Sequence, residues 1–209
     1  MEESDTFEAE LHDRQKVDYD TLLASAIENA TPGARTLSEA SLRHRLTGSW
    51  SQAYRRLGGS PEILEVEEGG FSYLFDLSGE RAIAAFGSVQ KPSRTARDRS
   101  RLAGFPRSLD RDYQKGHLIA HRLGGGLDIN IVHQLGTANI GPFRRLEAEA
   151  SRNPGSFYFV RLLYSSLPLR RGEQPPGGPP ANPQRPRWIE QGLILSDPPF
   201  RLILREFGN

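Results

Sequence analysis

At Gly69-Gly70 the hydrophobic period of the chain changes from helical to extended, and this divides the fold into two kinds of structure. Upstream, Leu37, Leu42, Leu46, Trp50, Ala53, Tyr54 and Leu57 recur at helical spacing until Gly58-Gly59. Thr36-Leu37-Ser38-Glu39 opens this helix in capping-box form, and Arg43, Arg45, Arg55 and Arg56 mark its opposite face. A shorter helix is expected through Leu22, Leu23, Ala26 and Ile27, capped at Asp20-Thr21 and stopped by Thr31-Pro32-Gly33. Residues 1 to about 18 are acidic and read as a frayed tail. Downstream, Phe71, Tyr73 and Phe75 alternate with Ser72, Leu74 and Asp76, and Ser78-Gly79 turns the chain into a second strand from Arg81 to Phe86. Further strands are expected at His117–Ala120, Ile129–Val132, Phe157–Tyr164, Trp188–Leu195 and Phe200–Phe207. The proline- and glycine-rich stretch from Pro175 to Pro186 reads as a surface loop. The fold class is therefore α+β, with a central, mainly antiparallel sheet and an N-terminal helical extension. Residues 1–60 form the tail and extension, and 61–209 the main domain.

Composition narrows the function. The 209 residues hold 36% apolar side chains and 15 prolines, which suits a modest core with long loops. No cysteine is present, so a disulfide or thiolate metal site is excluded. The N-terminal residues lack the basic-then-apolar pattern of a signal peptide, and no apolar run reaches membrane-spanning length. The expectation is a protein without membrane contact, cytoplasmic where it is made. The formal charge of +1 averages two opposed segments. Acids dominate residues 1–31, whereas Lys91, Arg94, Arg97, Arg99, Arg101 and Arg107 are opposed only by Asp98. That basic run suits a polyanionic partner, although a solvated loop explains it equally.

The chemistry concentrates in one block. Lys115-Gly116-His117 leads through Gly124-Gly125-Gly126 to Asp128-Ile129-Asn130, and Asn139 to Glu147 follows. The order is an imidazole, two carboxamides and a carboxylate on a helix, with Pro142 suited to a first helical turn. Phosphodiester hydrolysis needs a base for water and a positive centre for charge developing on phosphoryl oxygens. A neutral imidazole titrates near ~6.5 and is placed to act as base. A hard divalent ion keeps several waters and accepts a carboxamide oxygen. Asn139, at the expected start of the helix, offers that oxygen. Glu147, eight residues on, falls near the same helical face and accepts from ion-bound water. The glycine run lacks a following Gly-Lys-Ser/Thr and reads as a flexible turn rather than a phosphate cradle. His12, His44 and His121 read as packed or solvent-facing residues.

These residues resemble the DNA/RNA non-specific endonucleases, a branch of the ββα-metal (His-Me finger) nucleases. Gln114-Lys115-Gly116-His117 stands where that family has Asp-Arg-Gly-His, and the spacings of Asn130, Asn139 and Glu147 agree with its pattern. The glycine link and Asp128 are most similar to nuclease domains at the ends of bacterial polymorphic toxins. The resemblance spans roughly Phe71 to Leu163 and implies a ββα-metal motif with His117 as general base. It further implies Asn139 as ligand of one divalent ion, Mg²⁺ or Mn²⁺, Glu147 as holder of ion-bound water, and Asn130 as the residue orienting His117 or substrate. Lys115 would hold phosphate, joined by Arg94, Arg97, Arg99, Arg101, Arg144 and Arg145. Lys115 keeps the charge of the family's arginine but lacks its planar fork. The implied partners are a DNA or RNA substrate and an immunity protein restraining an exported antibacterial toxin. Two rivals remain open, a silent nucleic-acid-binding module and a protein-interaction domain. The charge asymmetry adds one expectation, that the acidic tail covers the basic groove and that deleting residues 1–18 raises activity.

Overall fold

The computed structural model describes residues 2–30, 37–90, 112–126, 128–165 and 185–209. Three helices come first: α1 (Glu2–Arg14), α2 (Tyr19–Glu28) and α3 (Glu39–Arg55). A sheet follows from β1 (Ile63–Glu68), β2 (Phe71–Asp76), β3 (Arg81–Ser88), β6 (Phe157–Leu163), β7 (Trp188–Ile194) and β8 (Leu202–Gly208), side by side in that order. Every neighbouring pair is antiparallel. Between β3 and β6 the chain makes a separate two-stranded hairpin, β4 (Tyr113–His117) with β5 (Ile131–Leu135), then α4 (Gly136–Ile140) and α5 (Pro142–Arg152). The architecture is α+β.

The pleat assigns each layer to one face of the sheet. On β6, Phe159 stacks with Tyr19 and packs against Trp50, while Arg161 pairs with Glu190 of β7 and reaches the Gln15 carbonyl. These alternate residues face the N-terminal helices. Tyr158, one residue out of phase, faces α5 through Gln191. With both faces covered, β6 is buried along its whole length, and β7 nearly so. That explains why Phe157–Leu163 shows no apolar–polar alternation. One continuous core joins Leu11, Tyr19, Leu42, Leu46 and Trp50 to Phe86, Phe159 and, beyond the sheet, to Phe143 and Leu146.

Several local expectations are corrected. The acidic N-terminus is not a frayed tail over its described length, because it forms α1, which buries Leu11, and Gln15 just after the helix is buried as well. Gln15 donates to the carbonyl of Tyr164 at 2.9 Å and accepts from its amide at 3.1 Å. The cap of α2 is Asp18, two residues earlier than expected, accepting from the Thr21 amide. Ser38 caps α3, while Thr36 falls outside the described residues. Arg43 and Arg45 do not simply face solvent. Arg43 lies near Glu39, Glu65 and Glu67, and Arg45 donates to Ser25. No described helix is long and apolar enough to cross a membrane.

Candidate active site

His117 ends β4 instead of beginning a strand, as the apolar run after it had suggested. Residues 118–120 bend away from the hairpin, and the expected strand at Ile129 is shifted to Ile131–Leu135, after a 3₁₀ turn at Asp128–Asn130. The bend is held by Asn130, which is completely buried. Its carbonyl oxygen accepts from the Ile119 amide at 2.7 Å, and its amide donates to Ile119 and Gly126 carbonyls, each at 2.8 Å. Its main-chain carbonyl accepts from Leu118 at 2.9 Å. Asn130 therefore meets backbone on every side and has no surface for substrate; it acts on His117 by fixing the chain immediately after it.

Two glycines make this arrangement possible. A Cβ on Gly125 would lie 1.9 Å from the Ile119 carbonyl oxygen, and one on Gly116 would lie 2.1 Å from the Gln134 side-chain oxygen. Both distances are far inside van der Waals contact, so only glycine admits the bend and the crossing of Gln134 over β4. The glycine run is thus a packed turn and not a flexible one.

Strand register places Lys115 opposite His133 and His117 opposite Ile131. The pleat puts Lys115 and His117 on the same face of the hairpin, with Gln114 and Gly116 on the other. Asn139 does not start the long helix. It is the fourth residue of the short α4, and Gly141 breaks the chain before α5 begins at Pro142. Glu147 therefore belongs to a different helix, and a common helical face no longer relates the two. The Asn139 amide donates to the Gln114 side-chain oxygen at 3.3 Å, which leaves its own carbonyl oxygen to accept.

On α5, Phe143, Leu146 and Ala150 are buried, and Glu147 shares their stripe at 8% exposure. Arg122, in the 3₁₀ turn after β4, donates to the Arg144 carbonyl at 2.9 Å and lies 3.4 Å from the Glu147 carboxylate. Arg144 and Arg145 point to solvent. The Arg94, Arg97, Arg99 and Arg101 expectations, with the basic loop that carries them, fall outside the described residues. Arg122 was missed because a lone arginine beside a glycine run carries no periodic signal. Glu147 did carry one, a carboxylate at i+4 from Phe143 inside an apolar stripe.

The donor set sets limits on a metal. Among the described residues no three His, Cys, Asp or Glu side chains converge as a metal site. Asn139 offers a carboxamide oxygen, the donor type that a hard ion accepts, and the absence of cysteine leaves no thiolate for a thiophilic metal.

No protein-family model matches the sequence, and no curated protein matches it significantly. Among solved structures, a chain of the EndoG/EndoGI complex aligns over 76% of this chain and 78% of that one, at 14% identity and a TM-score of 0.43. The overlap is too loose to assign this chain to a family.

Proposed function

We propose that the protein is a metal-dependent endonuclease that hydrolyses phosphodiester bonds of DNA or RNA with little base preference, and that residues 61–209 carry the chemistry. The observation that carries this reading is the seat of His117. Asn130 pins the main chain on its C-terminal side, β5 pairs on its N-terminal side, and the residue remains partly open to solvent. A base held so has little freedom to lose when it takes a proton from water. Lys115 shares its face of the hairpin and supplies positive charge to a phosphate. Arg144 and Arg145 extend that charge along α5, which makes binding salt-dependent. Asn139, with water held by Glu147, would hold Mg²⁺ or Mn²⁺, which supplies the positive centre for charge developing on the phosphoryl oxygens. Export as an antibacterial toxin restrained by an immunity protein belongs to the same reading and rests on the resemblance of the His117 block.

One contact favours a second reading. Gln114 engages the amide of Asn139 where the related nucleases have an aspartate. A neutral partner there suits a protein that binds nucleic acid without cutting it efficiently. Supercoiled plasmid and RNA incubated with Mg²⁺, Mn²⁺ or chelator separate the two. The nuclease cuts only with metal, and His117→Ala lowers the rate roughly 10²–10⁴-fold. Salt-sensitive binding without cleavage by the wild type selects the second reading and overturns the first.

A further inference from the structure

The endonuclease reading needs Asn139 and Glu147 in a fixed relation, yet Gly141 breaks the chain between their helices and no common face relates them. Something outside α4 and α5 has to set it, and the main sheet touches both halves. Helix α5 is tied down by Gln191 of β7, whose amide donates to the Phe143 carbonyl at 3.0 Å. The hairpin and α4 are tied down near the start of the same strand, by Asn209. Asn209 follows β8 and is 3% exposed. Its carboxamide oxygen accepts from the Leu135 amide at 2.7 Å, and its side-chain nitrogen donates to the His133 carbonyl at 3.0 Å and the Pro186 carbonyl at 2.9 Å. Its main-chain amide donates to the Arg187 carbonyl at 2.8 Å. Among the described residues β5 has one strand neighbour, β4, so His133 and Leu135 present these groups along an outer edge. A third strand would meet that edge with a peptide group. The side chain of Asn209 meets it instead, with the same kinds of acceptor and donor. Leu135 is also the residue from which α4 starts, and His133 stands opposite Lys115. On the other side, Pro186 and Arg187 lead into β7, where Trp188 pairs with Gly208.

We propose that Asn209 is a positioning residue. It locks the hairpin and the start of α4 onto β7 and β8, and the same sheet holds α5 through Gln191. The sheet thereby sets where the Asn139 carboxamide lies relative to Glu147. Asn130 fixes the His117 end of the hairpin, and Asn209 fixes the opposite end. What this alignment serves rests on the endonuclease reading; the tie itself does not.

The test compares Asn209→Ala with Gln15→Ala, which removes a buried carboxamide bonded to main chain on the helical side of the sheet. The first readout, amide hydrogen exchange, is independent of activity. In the wild type the Leu135 amide should exchange slowly although it lies on an outer edge, and rapid exchange there overturns the tie with no variant needed. In Asn209→Ala, protection should be lost at Leu135 and fall along α4, while the Ile119 amide, held by Asn130, stays protected. Gln15→Ala should leave all of these as in the wild type. Protection kept at Leu135 in Asn209→Ala overturns the tie, and protection kept along α4 overturns the positioning of that helix. The second readout is plasmid cutting well below the melting temperatures. Asn209→Ala is expected to raise the Mg²⁺ concentration for half-maximal cutting about 10–100-fold, whereas Gln15→Ala lowers the melting temperature without moving it. An unmoved Mg²⁺ requirement in Asn209→Ala, or an equal shift in both variants, overturns the positioning role. If the wild type cuts no nucleic acid, the endonuclease reading fails while hydrogen exchange still decides the tie.

Discussion

Asn130 uses its entire carboxamide on the main chain, tying Ile119 to Gly126 on either side of the 3₁₀ turn that carries Arg122. Replacing it by alanine leaves a buried amide, a buried carbonyl and a half-buried carbonyl without these bonds, and the loss is expensive where water is excluded. Asn130→Ala is expected to cost about 2–4 kcal/mol, read from chemical denaturation. Asn130→Asp should be nearly as damaging, because a carboxylate cannot donate to the Ile119 and Gly126 carbonyls. Wild-type stability in both variants would show that the bend is held by other groups. At this scale the sequence was informative about residue identity and poor about role. The spacing of His117, Asn130, Asn139 and Glu147 marked four positions. It did not distinguish a buried clasp from a group facing substrate, because both uses favour the same short amide. Gln191 and Tyr158 gave no signal at all, lying in strands whose residues are buried on both faces.

Elements were most legible where an apolar stripe or a continuous apolar run is bounded by turn residues. Helix α3 ends at Arg55, three residues before the expected glycine stop, and the strands beginning at Arg81 and Phe157 start where expected although both are buried on both faces. Around the hairpin the reading slipped, because Leu118, Ile119 and Ala120 are apolar through packing in a bend and not through strand pairing. The N-terminus slipped for another reason. Helix α1 is rich in acids, yet Leu11 and Gln15 key it to the strand end at Tyr164. Arg187 adds a contact with Glu8 at 3.3 Å, and His12 meets Glu206 at 3.0 Å. The basic segment that the tail was expected to cover lies outside the described residues, so these contacts speak only to how the N-terminus is anchored. Deleting residues 1–18 is now expected to lower stability by about 3–5 kcal/mol, since an apolar side chain and a satisfied buried amide are both lost. The measurement is a denaturant titration of both proteins. Unchanged stability with raised nuclease activity would support the cover.

At the scale of the whole molecule, the sheet is a polar-cored wall between two layers. On the helical side Tyr19 donates to Glu190 at 2.5 Å, Trp50 donates to Tyr19 at 3.0 Å, and Tyr54 joins Asp76 and Arg81. Five of the six tyrosines, Tyr19, Tyr54, Tyr73, Tyr158 and Tyr164, have their phenols pushed above the ordinary range, in each case chiefly by burial. The sign follows from linkage. A group whose folded value is raised keeps its full stabilising effect below the unfolded value, about 10 for tyrosine, and loses it as pH rises beyond. Stability should be insensitive to these groups below about pH 10. Above it, stability should fall by up to about 1.4 kcal/mol per pH unit for each phenol that ionises only on unfolding. Tyrosinate absorbance should therefore appear together with loss of helical signal. Ionisation of most tyrosines in a protein that stays folded would contradict the burial described. The packed glycine turn has a consequence for anyone engineering the chain. A run of three glycines invites a reporter or a split point, and here it is a poor one. Lengthening it would release the Ile119 clasp, the Arg122 grip and the base at the end of β4 together, whereas the Ser78-Gly79 turn between β2 and β3 lies apart from the site layer and is the better place to cut.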